Sequence, residues 1–122
     1  MKNNIMPNLD QPFHDLQALA QRVIRGDNFE VDLEIFEQFA GDLRLWVLDN
    51  FDGYRVRELA RSIPEIEYER RKGGLWSALG ASGIQMYKQR QERERVKAQV
   101  REIARRFEAI HRLVGEEEDD LV

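Results

Sequence analysis

The chain has 122 residues, a formal charge of −4, 42% apolar and 34% charged residues, and no cysteine. That is one domain with a modest core and a heavily solvated surface. Disulfide frameworks, thiol chemistry and cysteine-based zinc sites are excluded, and no apolar run reaches the roughly 18 residues of a membrane span.

Residues 1–9 read as a loose N-terminal arm without the apolar stretch of a signal peptide, and a cytoplasmic protein is expected. The spacing of Phe13, Leu16, Leu19 or Ala20, Val23 and Ile24 predicts a first helix over about 11–25. Asp10 is placed to cap it, Pro12 suits its first turn, and Gly26 follows Arg25 as a stop.

Residues 29–36 carry two periodicities. Glu30, Asp32 and Glu34 alternate with Val31, Leu33 and Ile35 as in a strand, while Phe36, Phe39, Ala40, Leu43, Trp46 and Val47 continue a helical stripe. A lone strand would have no partner, so a helix over about 32–50 is expected. Asp32 would be its cap, with Val31 stapled to Phe36. Ile35, Leu45 and Leu48 widen the stripe. This helix is expected to be the most buried, or the one that also meets a partner.

After the turn at 49–53, a short helix over about 54–62 carries Val56, Leu59 and Ala60, and Pro64 interrupts it. Glu65 to Lys72 has the composition for another turn or two of helix. Leu75-Trp76-Ser77-Ala78-Leu79 is an apolar island between glycines. A last helix is expected from near Ser82 to Val114, roughly 50 Å long, with Gly115 as stop and residues 116–122 as a disordered acidic tail.

Within that helix Val96, Val100, Ile103, Phe107, Ile110 and Val114 step by 4, 3, 4, 3, 4. This is a coiled-coil type of seam, too short to stand alone and preferred here as an intramolecular contact. Tyr87 to Arg95 is polar on nearly every side and should overshoot the globule. Pairs at i, i+4 (Lys88–Glu92, Arg90–Glu94, Glu108–Arg112) support it by a few tenths of a kcal/mol each.

The fold class expected is all-α, a three- or four-helix bundle with a long C-terminal helix. Residues 10–115 form the domain, and the 32–50 helix lies between the first helix and the seam. Its expected core is Leu16, Leu19, Val23, Phe36, Phe39, Leu43, Trp46, Val47, Leu59, Val100, Ile103, Phe107 and Ile110.

Charge is segregated: −6 over 1–53, +7 over 54–113 and −5 over 114–122. Such blocks suit internal complementarity or different partners. Arg90, Arg93, Lys97, Arg101 and Arg105, extended by Arg112, occupy one arc of about 120° on the last helix. Steps of four residues are roughly 6 Å, near the phosphate spacing of an extended nucleic acid. Arg70, Arg71 and Lys72 could add to this row, although Glu94 and Glu108 share its arc and the pI is about 5.3.

Arg106-Phe107-Glu108-Ala109-Ile110-His111 resembles the R-x4-H motif of HEPN ribonucleases, a helical class of similar size. Phe107 departs from that family's polar residue after the arginine and belongs to the seam. The chain has no phosphate-loop pattern, Glu-x-x-His pair, His-x-x-x-His or Gly-x-Ser-x-Gly, and no cofactor or catalytic residue is expected.

The leading expectation is a non-catalytic protein–protein interaction module. It would act through its long helix and through Trp76, Leu79 and Tyr87 on a protein partner or a second copy. The alternatives are a subunit gripping a nucleic-acid backbone through the basic row, and a HEPN-like ribonuclease.

Overall fold

The computed structural model describes residues 10–68 and 83–120, with side chains from 88 to 116 in the last helix. Four helices form an all-α bundle: α1 (Gln11–Arg25), α2 (Phe29–Asn50), α3 (Tyr54–Arg61) and α4 (Gly83–Asp120). The N-terminal arm and the island holding Trp76 and Leu79 lie outside the described residues, as do Arg70, Arg71 and Lys72.

α1 starts and stops where its local chemistry directs. Pro12 occupies its first turn, Arg22 and Arg25 its last, and Gly26 closes it at φ 82° with its N–H bonded to Arg22 O at 3.2 Å. A Cβ on Gly26 would sit 3.3 Å from Lys97 Nζ, because α4 lays that lysine against the cap. Gly26→Ala therefore meets both a disfavoured φ and a close neighbour. It should lower stability by about 1 kcal/mol or more, read as a shift in the urea midpoint. An unchanged midpoint would mean that the turn is not left-handed in solution.

Asp10 does not cap α1 with its side chain. Its carboxylate is drawn away to His111 of α4, and only its carbonyl bonds the helix, accepting from His14 N at 3.0 Å.

The alternation over 29–36 resolves as helix, and α2 starts three residues before the expected cap. Asp32 lies inside it, 5% exposed, and Val31 is 59% exposed and staples nothing. The reason is tertiary. Phe29 is buried under Tyr68, with ring centroids 5.8 Å apart, and Arg93 lies over its ring at 5.2 Å. Asp32 turns to Arg22 of α1. Arg57 closes the other end of α2, donating to Leu48 O and, at 3.2 Å, to Phe51 O. A cation on otherwise unpaired C-terminal carbonyls also suits the helix dipole.

The six seam residues of α4 are all buried, Ile103 at 2% exposed and the other five at 0%. Beyond the residues expected in it, the core holds Phe13, Ala20, Phe29, Leu33, Ala40, Val56, Ala60, Val96, Ala104 and Val114. Leu19, Phe39, Trp46 and Leu59 are half-buried at its edge rather than within it.

The order of the layers differs from expectation. α1 packs on α2 and α4, and α3 on α2 and α4, so the four helices form a ring. No Cα of α2 lies within 8 Å of one of α4 among the described residues. Residues 63–68, partly expected as helix, instead form a strap without regular secondary structure. One end of this strap is held by Arg106, which donates to Ser62 O at 2.9 Å and to its hydroxyl at 3.1 Å. The other end is held by Gln99, whose Oε1 accepts from Glu67 N at 3.2 Å, and by Arg95, donating to Glu67 O at 2.9 Å. Ile63, Ile66 and Tyr68 turn toward the core, with Tyr68 donating to Glu30 Oε1 of α2 at 2.8 Å.

Gly115 does not stop α4, and the helix continues to Asp120. Glycine ends a helix when it takes a left-handed φ, and among described glycines only Gly26 does so. The acidic residues Glu116 to Asp120 thus belong to the helix that they were expected to leave, and Leu121 and Val122 lie outside the described residues.

Candidate interaction surfaces

Two parts of the chain were candidates for contact: the exposed face of α4, and the region of Trp76, Leu79 and Tyr87. Tyr87 lies in the first turns of α4; its side chain, like Trp76 and Leu79, is outside what is described. The described side chains 88–91 are all exposed. From Glu92 onward the helix touches the bundle, through Arg93 on Phe29 and Arg95 on the strap. Of the overshoot expected over 87–95, Arg93 and Arg95 therefore lie against the bundle, while the side chains of 88–91 are exposed.

Three of the six cations in the row are paired along their own helix. Lys97 pairs with Glu94 at 3.2 Å, Arg105 with Glu102, and Arg112 with Glu108 at 3.3 Å. Arg95 takes Glu92, so the expected pairs Lys88–Glu92 and Arg90–Glu94 give way to i, i+3 pairs further along. Glu102 also accepts from Arg106 Nε at 2.8 Å, which holds its carboxyl below the usual range, with Arg105 adding to the effect. Lys97 is mostly buried against Gly26, and Arg93 lies on Phe29. Arg90 and Arg101 stay exposed. The face is one of alternating charge, the arrangement of a solvated helix, and unlike the uninterrupted positive stripe that tracks phosphates.

Arg106 and His111 do not converge. Arg106 reaches the end of α3 at Ser62, while His111 stacks on Phe13 of α1, with ring centroids 4.6 Å apart and planes 1° from parallel. His111 Nε2 meets Asp10 Oδ1 at 2.6 Å, and His14 approaches edge-on at 5.8 Å. The bond to His111 lowers the Asp10 carboxyl below its ordinary value. These contacts tie the start of α1 to α4. The R-x4-H spacing has thus become two separate packing contacts, consistent with Phe107 filling the core between them.

The strap carries the largest perturbation. Burial, with the bond to Glu30 as the second cause, pushes the Tyr68 hydroxyl up from 10.0 to about 12. A folded pKa above the unfolded one gives stability that is complete below pH 10 and is lost as pH rises toward 12. The melting temperature should fall across that window more steeply in the natural chain than in Tyr68→Phe. Parallel curves would show that the phenol ionises freely in the folded chain.

The wide stripe expected on α2, with Ile35 and Leu45 off its main line, is only partly buried, and the cleft next to it was not foreseen. The outer face of α2 shows Val31, Ile35 and Leu45, all more than 40% exposed. Beside that face lies a cleft of about 350 Å3, with Phe36, Ala40 and Ile103 in its floor and Gly41, Ile63, Pro64 and Ile66 along its sides. The signal for the cleft was Gly41, a lone glycine inside a helical pattern.

Comparison with family models, curated proteins and solved structures finds no match to this chain. Among the described residues no group of acidic residues or histidines is arranged to hold a metal ion, and no helix is long and apolar enough to cross a membrane.

Proposed function

We propose that the chain is a cytoplasmic, non-catalytic interaction module that presents the projecting N-terminal end of α4 to a protein partner. One observation carries this reading. α4 spans Gly83–Asp120, yet its buried seam begins only at Val96, and the described side chains from Lys88 to Gln91 are all exposed. An isolated helical end of that length is marginal in water. A partner surface that covers it supplies the missing stabilisation. The pairing of the basic residues within α4 supports a protein partner over a nucleic-acid backbone.

Affinity capture from the native host with the natural chain and with Gln89→Pro tests the reading. Proline in a helix interior costs roughly 3 kcal/mol and here breaks only the projecting end. The variant should keep its melting temperature and lose the partners that the natural chain retains. Identical captured sets from both chains would remove the projecting end as the contact.

A further inference from the structure

The outer face of α2 belongs neither to the bundle nor to the projecting end of α4, and it supports a contact of its own. We infer that two copies of this chain pair through this face, with their α2 helices antiparallel.

The first reason is spacing. Val31, Ile35, Gln38, Asp42, Leu45 and Asp49 step by 4, 3, 4, 3, 4 along α2. The buried seam of α4 has the same steps, which mark a line where one helix interlocks with another. All six residues are exposed among the described part of the chain, and all six are themselves described. The core-facing residues Phe36, Ala40 and Val47 lie on the opposite side of the helix. α2 thus carries two lines of this kind. α1 and α3 pack on α2, and the outer line is bare among the described residues. Single apolar residues on a surface need no explanation. Three on one interlocking line, two of them β-branched and so poorer helix formers than alanine or leucine, do.

The second reason is that this line is complementary to itself when reversed. A second α2 turned end for end, about a two-fold axis midway between Gln38 and Asp42, sets Ile35 against Leu45 of the other copy and Gln38 against its Asp42. Symmetry repeats each pairing. The end layers bring Val31 beside Asp49, at the rim where the carboxylate keeps its water. Gln38 Nε2 already donates to Asp42 of its own helix, at 3.2 Å and 3.3 Å to the two oxygens. Each oxygen retains a lone pair for the amide of the other copy. A polar layer at the middle of such a seam fixes register at some cost in affinity. Parallel helices would place Asp42 on Asp42 and Asp49 on Asp49, which like charge opposes.

The other carboxylates of α2 have contacts within the chain: Asp32 with Arg22, Glu30 with Tyr68, and Glu34 and Glu37 with neighbours. On the line itself stand Asp42 and Asp49. Their repulsion is screened by salt, so the pair tightens as salt is added. A foreign helix that met the same carboxylates with cations would loosen instead.

The test is sedimentation equilibrium of the full chain over a range of concentration, at low and high salt. The mass should rise from one copy to two and stop there, because an isologous contact closes. Ile35→Lys combined with Leu45→Lys should weaken association by about tenfold or more and leave the melting temperature of the dilute chain unchanged. Ile35→Lys combined with Leu45→Glu should still pair with itself at low salt, since only the antiparallel register sets lysine against glutamate. Should these chains fold poorly, Asp42→Asn serves as the second variant, and it should tighten association by about two- to fivefold. A monomer at every concentration, association that loosens with salt, or association that survives both lysines overturns the inference. So does equal loss of pairing in the Lys/Lys and Lys/Glu chains. Gln89→Pro should leave the pairing intact, so a monomer whose captured host partners still depend on Gln89 removes the pairing alone and leaves the module reading standing.

Discussion

Phe107→Ala is expected to remove about 3–5 kcal/mol of stability, the range for deleting a fully buried aromatic ring. Phe107 is 0% exposed and lies in the seam between Ile103 and Ile110, both buried. The loss is large against the roughly 5–15 kcal/mol that holds a domain of this size together. It corresponds to a fall in melting temperature of about 10–20 °C. Thermal unfolding followed by circular dichroism checks it, with Arg101→Ala as a control on the exposed side of the same helix. If Phe107→Ala melts within a couple of degrees of the control, the seam is not what closes the bundle.

The second large effect is electrostatic. Asp32 is 5% exposed, and Arg22 Nη2 of α1 stands 3.2 Å from its Oδ1. The approach is too poorly aligned for a hydrogen bond, so the contact is a charge pair with one buried member. Arg22→Ala should cost about 2 kcal/mol, because it leaves a buried carboxylate without its counter-charge. Half of the arginine is in water, which keeps the loss below that of a fully buried pair. Asp32→Ala in the Arg22→Ala background should recover part of that loss. A double-mutant cycle by urea unfolding reads the coupling. A coupling near zero would show that water, and not Arg22, compensates Asp32.

The parts of the fold that were legible in the sequence are those governed by local period and by helix ends. The seam is six apolar residues at helical spacing, and burial took all six. α1 is bounded by Pro12 and Gly26, both of which act through their own backbone. Where a side chain had a tertiary alternative, local chemistry misled. Asp10 and Asp32 are good capping residues, but His111 and Arg22 claimed their carboxylates. Gly115 and Gly26 look alike in sequence, and only Gly26 takes the left-handed turn.

The strap was illegible for a different reason. An irregular segment carries no periodicity, and what holds it is a set of bonds from Arg95, Gln99 and Arg106 to its backbone, which any sequence offers equally. The basic row was legible as a pattern and changed meaning once Glu94, Glu102 and Glu108 were found paired within it. For the candidate surface, Gly41 was visible but mute. A glycine in a helix reads as a small penalty until the space around it is known.

The ring of helices also constrains how the chain comes to be folded during synthesis. α1 is locked by contacts such as Gln17 Nε2 to Ala104 O at 2.8 Å, 87 residues downstream. Until the seam of α4 has left the ribosome, Phe13, Leu16 and Val56 have no lid, and the earlier helices can only wait as a sticky, half-made cup. Nascent chains halted before Val96 should therefore cling to chaperones and precipitate when released, whereas chains that have exposed Val114 should mature quickly.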